Sequence, residues 1–137
     1  MKTLIIFYSY SGNTRTVAME PGVKGSGDIA EVKDINRPGK LKAYTLGCFA
    51  ALRGKAWPIR PLDVDLKAYD HLLLLSPVWA GNPPPAVNAL LEQIPQGKTV
   101  SVKMVSASGS SRCKTRIDGM IKAKGSTLQD FEDIKKS

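Results

Sequence analysis

Residues 3–14 read TLIIFYSYSGNT, and the change of character at position 9 decides the fold. The run at 3–8 is apolar on both alternating sets of positions. That pattern predicts a strand covered on both faces, as in a parallel sheet. The stretch SYSGNT at 9–14 is almost wholly hydroxyl, glycine and amide, where a plain turn needs only one or two such residues. It opens a helix capped by Asn13 or Thr14, with Val17 and Ala18 facing inward. Backbone N–H groups at a helix start suit an anion, phosphate above all. Ser9, Ser11, Asn13 and Thr14 add side-chain donors, and Gly12 lets the backbone come close. Taken alone, the loop reads equally as a capped turn. It has neither the lysine of G-x-x-x-x-G-K-[ST] nor the G-x-G-x-x-G pattern, which argues against triphosphate hydrolysis and a dinucleotide site.

The same strand-then-loop pattern recurs twice. HLLLLS at 71–76 runs into PVWAGNPPPAV, and TVSVKMVS at 99–106 runs into ASGSS. In the third strand Val100, Val102 and Met104 share one face, while Ser101, Lys103 and Val105 share the other. Helical spacing fills the intervals. Leu41, Tyr44, Thr45, Cys48, Phe49 and Leu52 form one stripe, read as the inward face of a helix. Ala86, Val87, Leu90, Leu91 and Ile94 form a second stripe after prolines 83–85, and Cys113, Ile117, Met120 and Ile121 a third. Pro21 makes the first helix short or kinked. Residues 29–33 suit a short outer strand, 55–70 an extended loop. At the tail, Leu128, Phe131 and Ile134 recur every third residue as in a helix, yet a short last strand at 126–131 suits the element order better. Strands alternating with helices imply βαβ units in one domain, 1–137: a three-layer, doubly wound parallel sheet with helices on both faces. Ligands of such sheets bind beyond the carboxyl ends of the strands, where the winding reverses. All three small-residue loops fall there. Trp79 in the second either stacks on a flat ligand or packs on the following helix, and Gly81 and Asn82 imply a tight turn.

Composition narrows the function classes. The chain has 137 residues, 42% hydrophobic and 23% charged, ordinary for a soluble globular domain with one core. The N-terminal apolar run is too short for a signal peptide, and no stretch approaches the ~18 apolar residues of a membrane span. A cytoplasmic location is the default expectation. Cys48 and Cys113 both read as buried free thiols. His71 reads as a loop-edge residue, and no catalytic nucleophile, acid–base pair or metal set is found. The formal charge of +8 comes from twenty Lys and Arg spread along the chain. With no nucleic-acid motif beside them, they read as solvated faces.

Together the three loops resemble those of the flavodoxin-like flavoproteins, over roughly residues 1–125; flavodoxin is itself a standard case of the switch-point site. The resemblance implies strand order 2-1-3-4-5 and FMN as cofactor. By it, Ser9, Ser11, Gly12, Asn13 and Thr14 hold the phosphate. Pro77, Val78, Trp79, Ala80, Gly81 and Asn82 line the ring, with Ser106, Ala107, Ser108 and Gly109 opposite. The implied function is electron transfer to a redox partner protein or small acceptor. Two alternatives stand beside it: a small NAD(P)H-dependent FMN or quinone reductase, and an interaction module that has lost its flavin because Pro21 breaks the helix seating the phosphate. The departures are informative. Flavodoxins proper are acidic and this chain is basic, which predicts a less negative reduction potential. The third loop has no aromatic residue, so one ring face is open or covered, with Trp57 as a candidate cover. Little sequence remains for the family's last helix, leaving Lys103 on a thinly covered face. That predicts a covering partner subunit, such as a second copy in a homodimer, or a marginally stable fold.

Overall fold

The two apolar runs lie side by side at the heart of a five-stranded sheet, paired in parallel from Thr3 with His71 to Phe7 with Leu75. The structure, a computed structural model, describes residues 2–136, so Met1 and Ser137 lie outside it. Strands β1 (Thr3–Phe7), β2 (Asp28–Glu31), β3 (His71–Pro77), β4 (Thr99–Ser106) and β5 (Thr127–Lys135) are all parallel, in order 2-1-3-4-5. The chain steps outward from β1 to β2 and then returns across β1 to β3, so the winding reverses between β1 and β3. Alternation within each run divides the core. Leu4, Ile6, Leu72, Leu74, Val102 and Met104 pack on one face with Leu90 and Leu91 of helix α5 (Pro85–Glu92) and Ile117 and Ile121 of α6 (Lys114–Ala123). Ile5, Phe7, Leu75 and Val105 pack on the other with Val17 and Ala18 of α1 (Asn13–Ala18).

The structure tests several local expectations. The cap of α1 is Gly12, at φ +105°, not Asn13 or Thr14, which are the first two helical residues. The first helix is short, as expected: α1 has six residues and ends at Ala18, and Glu20, just before Pro21, has left helical angles. Pro21 then begins a separate helix, α2 (Pro21–Lys24), at the first position, where a missing N–H costs nothing. The tail is strand throughout, longer than expected. Its three-residue spacing comes from a register irregularity opposite Val100 and Ser101, which places Leu128 and Phe131 on the same core face and Ile134 on the other. Lys103 is half-buried on the face with the sparser helix cover. Its Nζ lies 2.8 Å from Glu132 of β5, so its charge is answered within the sheet.

A further correction bears on the site. Residues 40–52 form a continuous helical run: α3 (Lys40–Lys42), a π-helical turn (Ala43–Gly47) and α4 (Cys48–Leu52). The stripe read as inward faces out. Leu41 is 79% exposed, Tyr44 83%, Phe49 55% and Leu52 54%; Thr45 is exposed as well. Cys48 is half-buried and not a core thiol, whereas Cys113 is fully buried. The inward face is Ala43, Gly47, Ala50 and Ala51. Close approach is the reason: a Cβ on Gly47 would stand 2.7 Å from Trp79 Cζ3, so only a hydrogen there admits the indole. The guanidinium of Arg116 donates from Nη1 to Ala51 O and from Nη2 to Leu52 O, both at 3.0 Å, closing the helix's carbonyl end.

Candidate functional site

All three loops leave the carboxyl edge of the sheet, and each is held by its own small residues. In the first, Ser9 Oγ accepts the N–H groups of Gly12 (3.1 Å) and Arg15 (3.2 Å). Gly12 is left-handed, and the N–H groups of Ser11, Asn13 and Thr14 have no acceptor among the described residues. Thr14 is buried and Ser11 exposed. In the second, Trp79 and Asn82 exchange both backbone hydrogen bonds (2.7 and 3.0 Å) around Ala80 and Gly81, at φ +51° and +79°. Two successive positive φ angles make a type I′ turn, which explains the glycine and leaves Ala80 strained. Asn82 is buried, with its Nδ2 donating to Ala80 O at 3.0 Å, so its side chain braces the turn. In the third, Ser106 Oγ accepts the Gly109 N–H at 3.0 Å, and Gly109 passes close against Lys135.

Two contacts stitch the loops together. Trp79 stands edge-on to Tyr8 and Tyr10, with ring centroids 6.3 and 5.5 Å away, and lies over Gly47. The indole therefore packs on the π-helical turn before it, not on the following helix. Arg112 N–H donates to Gly81 O at 2.7 Å, tying the third loop to the second.

Two clefts open on either side of the Trp79 turn and share Val78 and Ala80. One, of about 680 Å³, is walled by Tyr10, Tyr44, Trp79, Ala43 and Cys48, with Lys40 at its rim. The other, of about 510 Å³, is lined by Leu52, Gly81, Ser108, Ser110, Ser111 and Arg112. The Ser111 hydroxyl is buried there without a hydrogen-bond partner. Of the residues expected at the site, Val78, Trp79, Ala80, Gly81 and Ser108 line these clefts, and Ser9 borders a third hollow with Arg15, Arg37 and Arg60. Ser11, Gly12, Asn13, Thr14, Pro77, Asn82, Ser106, Ala107 and Gly109 border none of the three. Trp57 lines neither cleft; its backbone N–H donates to Pro85 O, and its ring carries Lys42 Nζ 5.4 Å from the centroid. Tyr10, Lys40, Tyr44, Cys48, Leu52 and Arg112 are additions. Tyr10 lay inside the stretch read for its hydroxyl and amide residues, and Tyr44, Cys48 and Leu52 lay on the face read as inward.

Burial shifts both thiols toward their protonated form. Burial pushes the Cys48 thiol above its ordinary value, against a hydrogen bond from Ala80. Burial likewise raises Cys113. Behind the first loop, Tyr8 Oη donates to Asp34 Oδ2 at 2.6 Å in a buried pair. Burial raises both groups, and for Asp34 the tyrosine bond and Arg37 offset only part of the effect. Among the described residues no group of three or more His, Cys, Asp and Glu is placed to hold a metal ion, and no helix is long and apolar enough to cross a membrane.

No family model and no curated protein matches the chain. Solved structures do. The flavoprotein of Lactobacillus acidophilus, crystallised in complex with FMN, superposes at a TM-score of 0.76 with 26% identity, over 95% of this chain and 91% of that one. The fold of this chain is flavodoxin-like. A Bacteroides eggerthii protein assigned as a flavoprotein aligns with the flavodoxin-like chain at a TM-score of 0.78 and 18% identity, over 96% of this chain and 86% of that one. Flavodoxin 1 of Bacillus cereus aligns at 0.55 and 17%, over 100% and 87%. Both agree with it in fold.

Proposed function

We propose that this flavodoxin-like chain binds FMN and serves electron transfer. The observation that carries the reading is the convergence of three stitched loops at the winding reversal, one with unpaired amides and one with an indole. The donors fit the cofactor. The free N–H groups of Ser11, Asn13 and Thr14, with the left-handed Gly12, suit a phosphate. The unpaired Ser111 hydroxyl and the amides of the second and third loops suit the polar edge of a flat ring. We assign Ser9 to bracing the phosphate loop, Trp79, Ala80 and Gly81 to the ring, and Ser106, Ala107, Ser108 and Gly109 to its far edge. FMN, when bound, supplies the redox chemistry, while the chain binds, orients and tunes it.

The third reading, a module without flavin, is less favoured, because Pro21 lies beyond the far end of α1 from the amides that open it. The reductase reading keeps a specific support in the apolar cleft of about 680 Å³ beside Trp79, a volume that suits a second flat reactant. The test is titration of the purified protein with FMN, followed by flavin fluorescence and melting temperature. The expected result is quenching and a raised melting point, both weakened in Trp79→Ala; no change in either quantity overturns the proposal. Steady-state oxidation of NAD(P)H by the FMN-loaded protein then separates a reductase from a carrier.

A further inference from the structure

The helical run at 40–52 is apolar on both sides. Small residues face the protein, and Leu41, Tyr44, Leu46, Phe49 and Leu52 face out, each more than half exposed. A helix hydrophobic all round belongs in a covered setting, and this outer face has no cover among the described residues. Its charge indicates what the cover is. Residues 35–62 hold six Lys and Arg and not one Asp or Glu. Lys40 and Lys42 flank the exposed stripe at one end, Arg53 and Lys55 at the other, and none of the four is ion-paired among the described residues.

We propose that this face docks, peripherally and without spanning, on an anionic phospholipid surface. Long aliphatic and aromatic side chains projecting from a helix flanked by cations at both ends are the makings of an interfacial helix: the apolar groups enter below the headgroups and the cations meet their phosphates. A second copy of the chain fits less well, since a two-fold contact would set like-charged rims against each other. A protein partner fits less well too, because protein interfaces are depleted in lysine. Tyr44 and Leu52 belong both to this face and to the walls of the two clefts, so docking turns the cleft mouths toward the lipid. The inference does not depend on FMN.

The experiment is co-sedimentation of the full chain, without cofactor, with vesicles of phosphatidylcholine alone or mixed with phosphatidylglycerol, at low and physiological salt. Binding is expected to the mixed vesicles only, and to weaken as salt rises. Leu41→Ser with Phe49→Ser should lower partitioning about tenfold or more, because both side chains leave the apolar layer. Neither residue lines a cleft and both are solvent-exposed, so circular dichroism and the FMN titration should match the parent. Lys42→Gln with Arg53→Gln should lower partitioning several-fold at low salt. No binding to the mixed vesicles overturns the proposal, as does equal binding to phosphatidylcholine or binding that the Ser pair leaves intact. A dimer dissolved by the Ser pair, in protein that ignores vesicles, assigns the face to a second copy instead.

Discussion

Gly47 and Trp79 form the tightest designed contact at the site, and it sets the first prediction. Gly47 has ordinary helical angles, so alanine there is free of backbone strain, but its Cβ would fall 2.7 Å from Cζ3 of the indole. Either the ring or the helix must move. Gly47→Ala should cost about 1–3 kcal/mol of stability, the usual range for an overpacked site, and should weaken FMN binding more than it lowers the melting point. Paired denaturation and FMN titrations check this. A second residue-level prediction concerns the buried Tyr8–Asp34 pair. The folded pKa of Asp34 lies above its ordinary value, chiefly through burial, so the folded state holds that proton more tightly than the unfolded chain. The group's contribution to stability is therefore full below the ordinary carboxylate range and is lost as pH rises through the raised folded value. Asp34→Asn keeps an acceptor for Tyr8 and removes the titration. As pH rises from acid to neutral, its melting temperature should gain on the parent's, as read from melts across that range. Parallel profiles would mean that Asp34 titrates alike in both states.

Among the elements, α4 and its cap show how an outward-facing helix is held. Its inner face is too small to bury much area, so the closing of its carbonyl end by Arg116 matters more than usual. Arg116→Ala should destabilise the protein by about 1 kcal/mol and increase amide exchange at Arg53 and Gly54 before the rest of the chain, measurable by hydrogen exchange. The same element explains what the sequence reading reached and what it missed. The central strands were legible because burial on both faces leaves a continuous apolar run, as at 3–8 and 71–76. Helices α5 and α6 were legible because their large residues are the buried ones, Leu90 and Leu91 in one and Ile117 and Ile121 in the other. In residues 40–52 that rule inverts. Hydrophobicity ranks Leu41, Tyr44 and Phe49 above Ala43, Gly47 and Ala50, but packing against an indole selects by size, and the smaller set wins the inner face. The periodicity of small residues was there to be read. The last strand misled for a different reason, since one extra residue opposite Val100 and Ser101 converts a two-residue alternation into a spacing of three. At the site, the loops were legible and their bracing was not. A serine that accepts two amides and an asparagine that holds its own turn look, in sequence, like groups offered to a ligand.

At the scale of the whole molecule, charge is distributed less evenly than a count of lysines and arginines suggests. Cations occur along the whole chain, but the carboxylates avoid residues 35–62, and that segment carries most of the net +8. It also supplies Lys40 at the rim of one cleft, while Arg112 borders the other, so the ring site proposed above sits in a positive field from two sides. Reduced flavin is anionic near neutral pH, and a positive surround stabilises it relative to the oxidised form. The FMN-loaded protein should thus have a less negative midpoint potential than acidic flavodoxins. Because much of the field comes from exposed side chains, that potential should become more negative as salt screens them beyond about 8 Å at physiological ionic strength. Lys40→Glu with Arg112→Glu should shift it further in the same direction, on the order of tens of millivolts, and should flatten its salt dependence. Potentiometric titration at low and high ionic strength provides the measurement. A potential unmoved by salt and by the double variant would mean that the loops' own dipoles set the cofactor's energetics and that the basic surface serves docking alone.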